Sequence, residues 1–436
     1  MLNGRHRPLA MVSLLAVALS LADVCRADWC RADDTSHFAA EGSLIERFEL
    51  RTEGYFLVVP VTLGGETYPF AVDTGATHCV YDTALRPWLG KLRTKSTKVQ
   101  TAGGTAQVEL YDSPDARIGR LSLRGKEPVV CADLEMVRQV SGQDIYGLVG
   151  MDVLRRYVVR YDPDRRVLEF HDSVPPDSGV AVPLIRRRRF LAGASPLAYV
   201  KADVGGPAGA SFLIDTGAVG NPGTLDAALF SQLARETKLQ VLGSTMSESL
   251  SGSSQNKIGR LTQVTLGGYW HRNLTFSQSK DNKLGLDYWS RFVVTFDFTH
   301  DVMYLRAGRG FDHRAMHDLS GMTLISSMGK LRVFQVLPGS PAQRAGLARG
   351  DAVVRVGNLD ARRHGLFAIK RLLSTPSAEL PIVVERGGKA LVASMVLNEP
   401  RLTAPIAAPS RPVSAPPSAT AQRPFGGARQ WLKKLF

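Results

Sequence analysis

The chain has 436 residues, more than one ordinary domain holds, so roughly two to four domains are expected. A hydrophobic share of 44% is too high for a mainly disordered chain and fits folded domains with cores. The net charge of +14 comes with no zinc spacing, nucleic-acid signature or aromatic–basic interleaving, so charge alone assigns no partner and nucleic acid is not expected.

In chain order, the first feature is an export leader. Arg5, His6 and Arg7 precede an apolar stretch at 9–22, and Cys25-Arg26-Ala27 places small residues at cleavage spacing. The stretch falls short of the ~20 residues that span a bilayer. A signal peptide over 1–27 is therefore expected rather than an anchor, with export to the periplasm or the medium. Its removal would leave Cys30, Cys79 and Cys131. Cys79 and Cys131 either pair, leaving Cys30 free or intermolecular, or Cys79 is a buried small hydrophobe.

From residue 44 the pattern is that of strands. Residues 54–63 are rich in β-branched and aromatic types and end at Gly64-Gly65, a turn signal. Residues 70–72 form a short apolar run stopped by Asp73-Thr74-Gly75. Residues 98–107 read as two β-prone arms around Thr101-Ala102-Gly103-Gly104, a hairpin with a glycine tip. A short helix at 152–156 follows. Residues 157–161 and 167–170 then flank Asp162-Pro163-Asp164 as another hairpin, and Pro175-Pro176-Asp177-Ser178-Gly179 marks a linker within 172–183.

Beyond the linker the landmarks return. Phe70-Ala-Val-Asp-Thr-Gly-Ala76 recurs as Phe212-Leu-Ile-Asp-Thr-Gly-Ala218, and Ile-Gly-Arg-Leu stands at 118–121 and at 258–261. Gly150-Met-Asp-Val-Leu-Arg-Arg-Tyr-Val-Val-Arg-Tyr-Asp162 matches Gly285-Leu-Asp-Tyr-Trp-Ser-Arg-Phe-Val-Val-Thr-Phe-Asp297. Three landmarks in one order at near-equal spacing indicate two copies of one unit. The second copy adds a helix at 225–237 and a hairpin at 246–257 that turns at Ser251-Gly252-Ser253. Residues 316–398 change character: a strand, a proline–glycine turn, a short helix and another strand follow one another. From 399 to 436 the chain turns to Pro, Ala and Ser and is expected to be disordered. Its basic amphipathic end, Trp431-Leu-Lys-Lys-Leu-Phe436, reads as a frayed terminus rather than a membrane contact.

The duplicated Asp-Thr-Gly-Ala carries the chemistry. An Asp leaving an apolar strand is poised where the backbone turns, its Gly admits a second chain closely, and its Thr bonds backbone groups. Two such loops brought together put Asp73 and Asp215 side by side, where both cannot easily ionise. One then deprotonates a water that attacks a peptide carbonyl while the other protonates the carbonyl oxygen. Thr74, Gly75, Ala76, Thr216, Gly217 and Ala218 shape the loops. This chemistry requires no metal and no cofactor. The chain has no His-Glu-x-x-His helix, Gly-x-Ser-x-Gly elbow or phosphate loop, and His78 has no counterpart in the second copy.

Both copies resemble the retropepsin-like aspartic peptidase unit, over about residues 44–308. That resemblance implies a mainly β fold: two tandem retropepsin-like β-barrel lobes, 44–172 and 183–308, forming a pepsin-like cleft in a monomer. The family's second marker, an apolar pair before glycine, is met by Leu148-Val149-Gly150. Lys283-Leu284-Gly285 departs from it, because Lys replaces an apolar residue. By the same resemblance, the hairpin tips Ala102, Gly103, Gly104, Ser251 and Gly252 act as flaps over extended polypeptide, although neither tip carries the aromatic residue of pepsin-type flaps. Residues 316–398 resemble a PDZ domain through Leu337-Pro-Gly-Ser-Pro-Ala342, Ala345-Gly-Leu347 and Gly350-Asp351. That implies a loop at Gly321, Met322, Thr323 and Leu324 receiving peptide C-termini; the plainer alternative is a module that only packs on the peptidase. The expected function is an aspartic endopeptidase. The competing expectation is an inactive peptide-binding scaffold, with Lys283 as the feature in its favour.

Overall fold

The computed structural model describes residues 44–51, 54–101, 104–189, 193–205, 209–249 and 252–398. The expected leader at 1–27, Cys30, the hairpin-tip residues Ala102, Gly103 and Ser251, and the tail from 399 lie outside these residues. The described chain is mainly β, and its strands form four sheets. Among the described residues, no helix is long and apolar enough to cross a membrane.

The internal repeat reappears as a repeated strand neighbourhood. In the first half, Glu66–Val72 lies parallel to Gly147–Val149, which in turn runs antiparallel to Val80–Asp82. In the second half, Ala210–Asp215 lies parallel to Lys283–Gly285, which runs antiparallel to Gly223–Asp226. Both strands that lead into Asp-Thr-Gly end in unbroken buried runs, because both of their faces are covered.

A third sheet joins the halves. Its middle strands, Val158–Asp162 and Phe292–Asp297, are the repeated segments themselves, paired antiparallel with Val158 opposite Asp297 and Tyr161 opposite Val294. Equivalent strands meeting in this way is what an approximate two-fold axis between the copies produces. Both strands are buried throughout, and each fully buried aromatic such as Phe292 or Phe296 contributes about 1.5–3 kcal/mol by leaving water. The one guanidinium in the first of these strands, Arg160, is held by both oxygens of Asp177, at 2.6 and 2.8 Å. Asp177 belongs to the segment expected to be a linker. That segment is tied into the sheet, because Val180–Pro183 pairs along Val302–Ala307.

Cys79 and Cys131 are free, buried thiols rather than a disulfide. The register explains this: Tyr81, not Cys79, lies opposite Cys131, and the Cys79 thiol donates to Asp152 Oδ1 at 3.3 Å.

The C-terminal residues build a sheet of their own from Met322–Ser327, Lys330–Val336, Ala352–Val356, Ser377–Arg386 and Lys389–Leu397, with Leu359–Asp360 paired alongside. The helix Ala361–Leu373 packs on it through Leu366, Ile369 and Leu373, spaced to share one face, and Asp360 caps its first turn. This unit rests on the first half. Ile325 and Phe334 share a buried cluster with Val137 and Val140 of the helix Glu135–Ser141 and with Val99 and Val108 of the first hairpin. Phe367 meets Tyr55 edge-on at 5.2 Å, and Lys370 Nζ donates to the Val140 carbonyl at 2.9 Å.

Candidate active site

Asp73 follows directly on Glu66–Val72, and Asp215 is the last residue of Ala210–Asp215. The strand beside each loop braces it. The Asp73 N–H donates to the Val149 carbonyl at 3.0 Å, and the Met151 N–H donates to Ala76 at 2.8 Å. In the second copy the Leu286 N–H donates to Ala218, also at 2.8 Å. Glycine is required in the bracing strands: a Cβ on Gly150 would fall 2.5 Å from the His78 carbonyl oxygen, and one on Gly285 would fall 2.6 Å from that of Ala218.

The two loops are locked to each other crosswise through their threonines. Thr74 Oγ1 donates to the Ile214 carbonyl at 2.8 Å and accepts from the Thr216 N–H at 3.0 Å. Thr216 Oγ1 donates to the Val72 carbonyl at 2.7 Å and accepts from the Thr74 N–H at 3.0 Å. These four bonds are buried, so each hydroxyl satisfies groups that would otherwise stand unpaired away from water. The glycines serve by their size. A Cβ on Gly75 would lie 2.5 Å from Asp215 Oδ1, and one on Gly217 would lie 2.4 Å from Asp73 Cγ. Each carboxylate therefore sits against the opposite copy's glycine.

Neither aspartate has exposed surface. Asp73 Oδ1 accepts from the Gly75 N–H at 2.8 Å, and Asp215 Oδ1 accepts from the Gly217 N–H at 3.1 Å. Burial pushes the Asp73 carboxyl well above the usual carboxylate range, and the neighbouring Asp215 pushes it the same way. The Gly75 N–H and the Lys283 charge pull in the opposite direction. A carboxyl that keeps its proton beside a second carboxyl group is an arrangement suited to giving one proton and taking another.

The residue that sequence reasoning undervalued is Lys283. It is buried like its counterpart Leu148, and its Nζ donates to Asp215 Oδ2 at 2.9 Å. Burial opposes its charge, but Asp215, with Asp281 and Asp73 adding to it, outweighs burial and holds the ammonium above the ordinary lysine value. The signal was available: a lysine at an apolar position of a repeat has to find an anion. His78 instead engages its neighbour, with Nδ1 2.8 Å from Thr77 Oγ1.

A cavity of about 540 Å³ is walled by both halves and by the C-terminal unit; it reaches Ala218, just after the second Asp-Thr-Gly, but neither aspartate lines it. Ala218 and Val219 form part of its wall, as do Phe56, Thr323 and Lys370. The carboxylates themselves are closed off from solvent. The hairpins are longer than the sequence suggested. Leu92–Thr101 pairs with Gly104–Tyr111 up to Thr101 opposite Gly104, and Leu239–Ser249 pairs with Gly252–Leu266 up to Ser249 opposite Gly252. Ser244 and Thr245, on an arm of the second hairpin, line the cavity.

The loop expected to receive peptide C-termini is partly engaged already. The Gly321 N–H donates to Asp318 Oδ1 at 2.9 Å, and the Met322 N–H donates to Ser320 Oγ at 3.2 Å. Two of the amides offered to a carboxylate thus have partners within the chain. Thr323 lines the cavity, whereas the Leu324 side chain is buried in the unit's own core. Among the described residues, no group of three or more His, Cys, Asp or Glu stands together as metal ligands would.

No curated protein matches the chain. Residues 59–153 match the family model described as aspartyl protease, a span that includes Asp73 and Leu148-Val149-Gly150 but not Asp215. The segment that carries the first Asp-Thr-Gly is thereby similar to aspartyl proteases.

Proposed function

We propose that the chain is an aspartic endopeptidase in which Asp73 and Asp215 act together on an extended polypeptide. The observation that carries this reading is the mutual approach of the two loops, each glycine against the other copy's carboxylate and each threonine bonded across. A fold needing only two packed halves has no reason to bury two carboxylates at their junction, where charge is costly. A water between them gives a proton to the ionised carboxylate, and its oxygen attacks the peptide carbonyl carbon. The other aspartate gives its proton to the carbonyl oxygen. Collapse of the tetrahedral intermediate breaks the C–N bond: the first proton passes to the leaving amine, and a hydroxyl of the intermediate returns a proton to the other aspartate as the carboxyl product forms.

In this reading residues 44–172 and 183–308 are two pepsin-like lobes, and the hairpins are flaps whose movement admits substrate. The C-terminal unit, PDZ-like in its sequence pattern, walls the cavity and braces the first hairpin. Any recruitment of peptide C-termini would work through Thr323 and Lys370 on that wall. The expected leader supports export, and two copies in one chain support a monomer that carries both aspartates.

A second reading has its own observation. The ammonium of Lys283 on Asp215 would suit a binding scaffold that has lost turnover. Cleavage of denatured casein across pH 3 to 8 separates the two. Activity in the wild type, lost in both Asp73→Asn and Asp215→Asn, supports the peptidase. Activity that survives both substitutions removes the dyad, and peptide binding without cleavage supports the scaffold.

A further inference from the structure

Just before the third repeated landmark, the two copies differ at a position that touches one of the aspartates in the second copy. Leu148 and Lys283 each stand two residues before the bracing glycine, and both are buried. Leu148 packs among apolar side chains, whereas Lys283 reaches a carboxylate. The four carboxylate oxygens are unequal as a result. Asp215 accepts on both oxygens, from the Gly217 N–H and from the Lys283 ammonium. Asp73 accepts on Oδ1, while its buried Oδ2 has no hydrogen-bond partner. Donors at both oxygens favour an anion, and a buried oxygen without a donor is where a carboxyl keeps its O–H.

We propose that Lys283 is a positioning residue that commits Asp215 to the ionised, water-activating role and leaves the shared proton on Asp73. This rests on the peptidase reading. The centre then consists of a neutral Asp73, an anionic Asp215 and a cationic Lys283, with no net charge. Two aspartates alone, sharing one proton, would bury a net negative charge, and the lysine removes that cost. The other groups that face the ammonium are few. Asp281 precedes it on the same segment and adds to its stabilisation. Tyr199, on the strand Gly193–Ala202, lies within the influence of Lys283 and Asp215 and carries Arg187 over its ring at 4.1 Å. Asp73 also acts on the ammonium.

The lysine has a directional consequence for turnover. An opposite charge at hydrogen-bond distance lowers a carboxylate's proton affinity by about 1–3 pH units. With Lys283 beside it, the pair as a whole favours its singly ionised form, and the acid limb of the pH–rate profile extends downward. Lys283→Met should move that limb up by about 1–3 units. Lys283→Arg, which keeps the charge, should leave it near the wild-type position.

A stability cycle tests the pairing without activity. In the wild-type background Lys283→Met should lower Tm, because it strands an anion. In the Asp215→Asn background the same substitution should raise Tm, because there it removes a buried cation that has lost its partner. Opposite signs in the two backgrounds, together with the shifted acid limb, support the proposal. The same sign in both would mean that Lys283 merely packs, and would overturn it, as would an unmoved acid limb in an active Lys283→Met protein. If the signs oppose but no form of the protein cleaves any substrate, the ion pair stands, and both the catalytic role and the peptidase reading fail.

Discussion

Replacing Gly217 by Ala tests the dyad geometry with a single methyl group. The new Cβ would lie 2.4 Å from Asp73 Cγ and 2.5 Å from its Oδ2. Relaxed contact begins near 3.4 Å, so the carboxylate or the loop must yield by about 1 Å, a misplacement of a kind that costs about 100-fold in rate. Asp73 cannot swing aside freely, since its side chain is short, fully buried and held by the Gly75 N–H. Gly217 is not among the positive-φ glycines, so alanine is acceptable to the backbone and the effect is steric. A 100-fold loss in kcat/KM corresponds to about 2.7 kcal/mol of transition-state stabilisation, and the overpacking costs about 1–3 kcal/mol of folding stability. The assay is kcat/KM on denatured casein beside urea unfolding of the same preparation. Gly75→Ala, whose Cβ would lie 2.5 Å from Asp215 Oδ1, should show a loss of similar size. Wild-type kcat/KM in both folded variants would mean that the loops do not approach as described, and the dyad would fall with them.

Thr216→Val keeps the shape of the side chain but leaves the Val72 carbonyl and the Thr74 N–H without partners. It should cost about 2–4 kcal/mol in urea unfolding, with less than additive loss when combined with Thr74→Val. Asp73→Asn should change stability in a pH-dependent way. The folded carboxyl holds its proton above the unfolded value, so the stability that Asp73 contributes is lost as pH rises past about 4. The Asn protein lacks that slope and should gain on the wild type between pH 4 and 7. His271 acts at the acid end, because burial and then Arg291 push its imidazole down to about 3. The folded state therefore binds fewer protons, and wild-type stability falls as pH drops below about 6.5. His271→Phe, set among Tyr288, Phe292 and Phe311, should flatten that fall in unfolding curves taken at pH 7 and pH 4. Phe334→Ala should destabilise the chain by about 3–5 kcal/mol in urea, since the ring fills a cluster shared by the C-terminal unit and the first half.

The sequence is most readable where local rules act. The two Asp-Thr-Gly turns are visible because an apolar run stops at a polar, glycine-containing corner, twice. That Thr74 and Thr216 bond backbone was foreseeable from residue type. That they bond each other's loop depends on how distant segments assemble. The strands Val158–Asp162 and Phe292–Asp297 could be recognised as repeats, but their pairing at the centre of one sheet is a matter of tertiary register. Pro175-Pro176 suggested a break, yet Val180 and Val182 a few residues on carry the chain back into a sheet, where burial decides. The engagement of Gly321 and Met322 was within reach, since Asp318 and Ser320 stand two or three residues upstream in turn-forming positions. Lys283 was visible as an irregularity only, because a buried charge acquires meaning from a partner 68 positions away.

That irregularity is compatible with this architecture and not with a symmetric one. A dimer of single units repeats every residue across its two-fold axis, so a lysine in the bracing segment would bring two ammoniums to two aspartates. Both carboxylates would then ionise, and neither would hold a proton to give to a carbonyl oxygen. A duplicated unit within one chain can place the lysine in one copy only. Leu148 keeps its position in the first copy apolar, and Lys283 supplies the second copy's charge beside Asp215. The pair of aspartates is thus alike in backbone and unequal in hydrogen-bond partners. Placing a second lysine by Leu148→Lys should abolish cleavage while leaving the crosswise threonine bonds to form, a loss visible in kcat at every pH between 3 and 8. Cleavage retained in a folded Leu148→Lys protein would show that the proton on Asp73 does not depend on a single lysine.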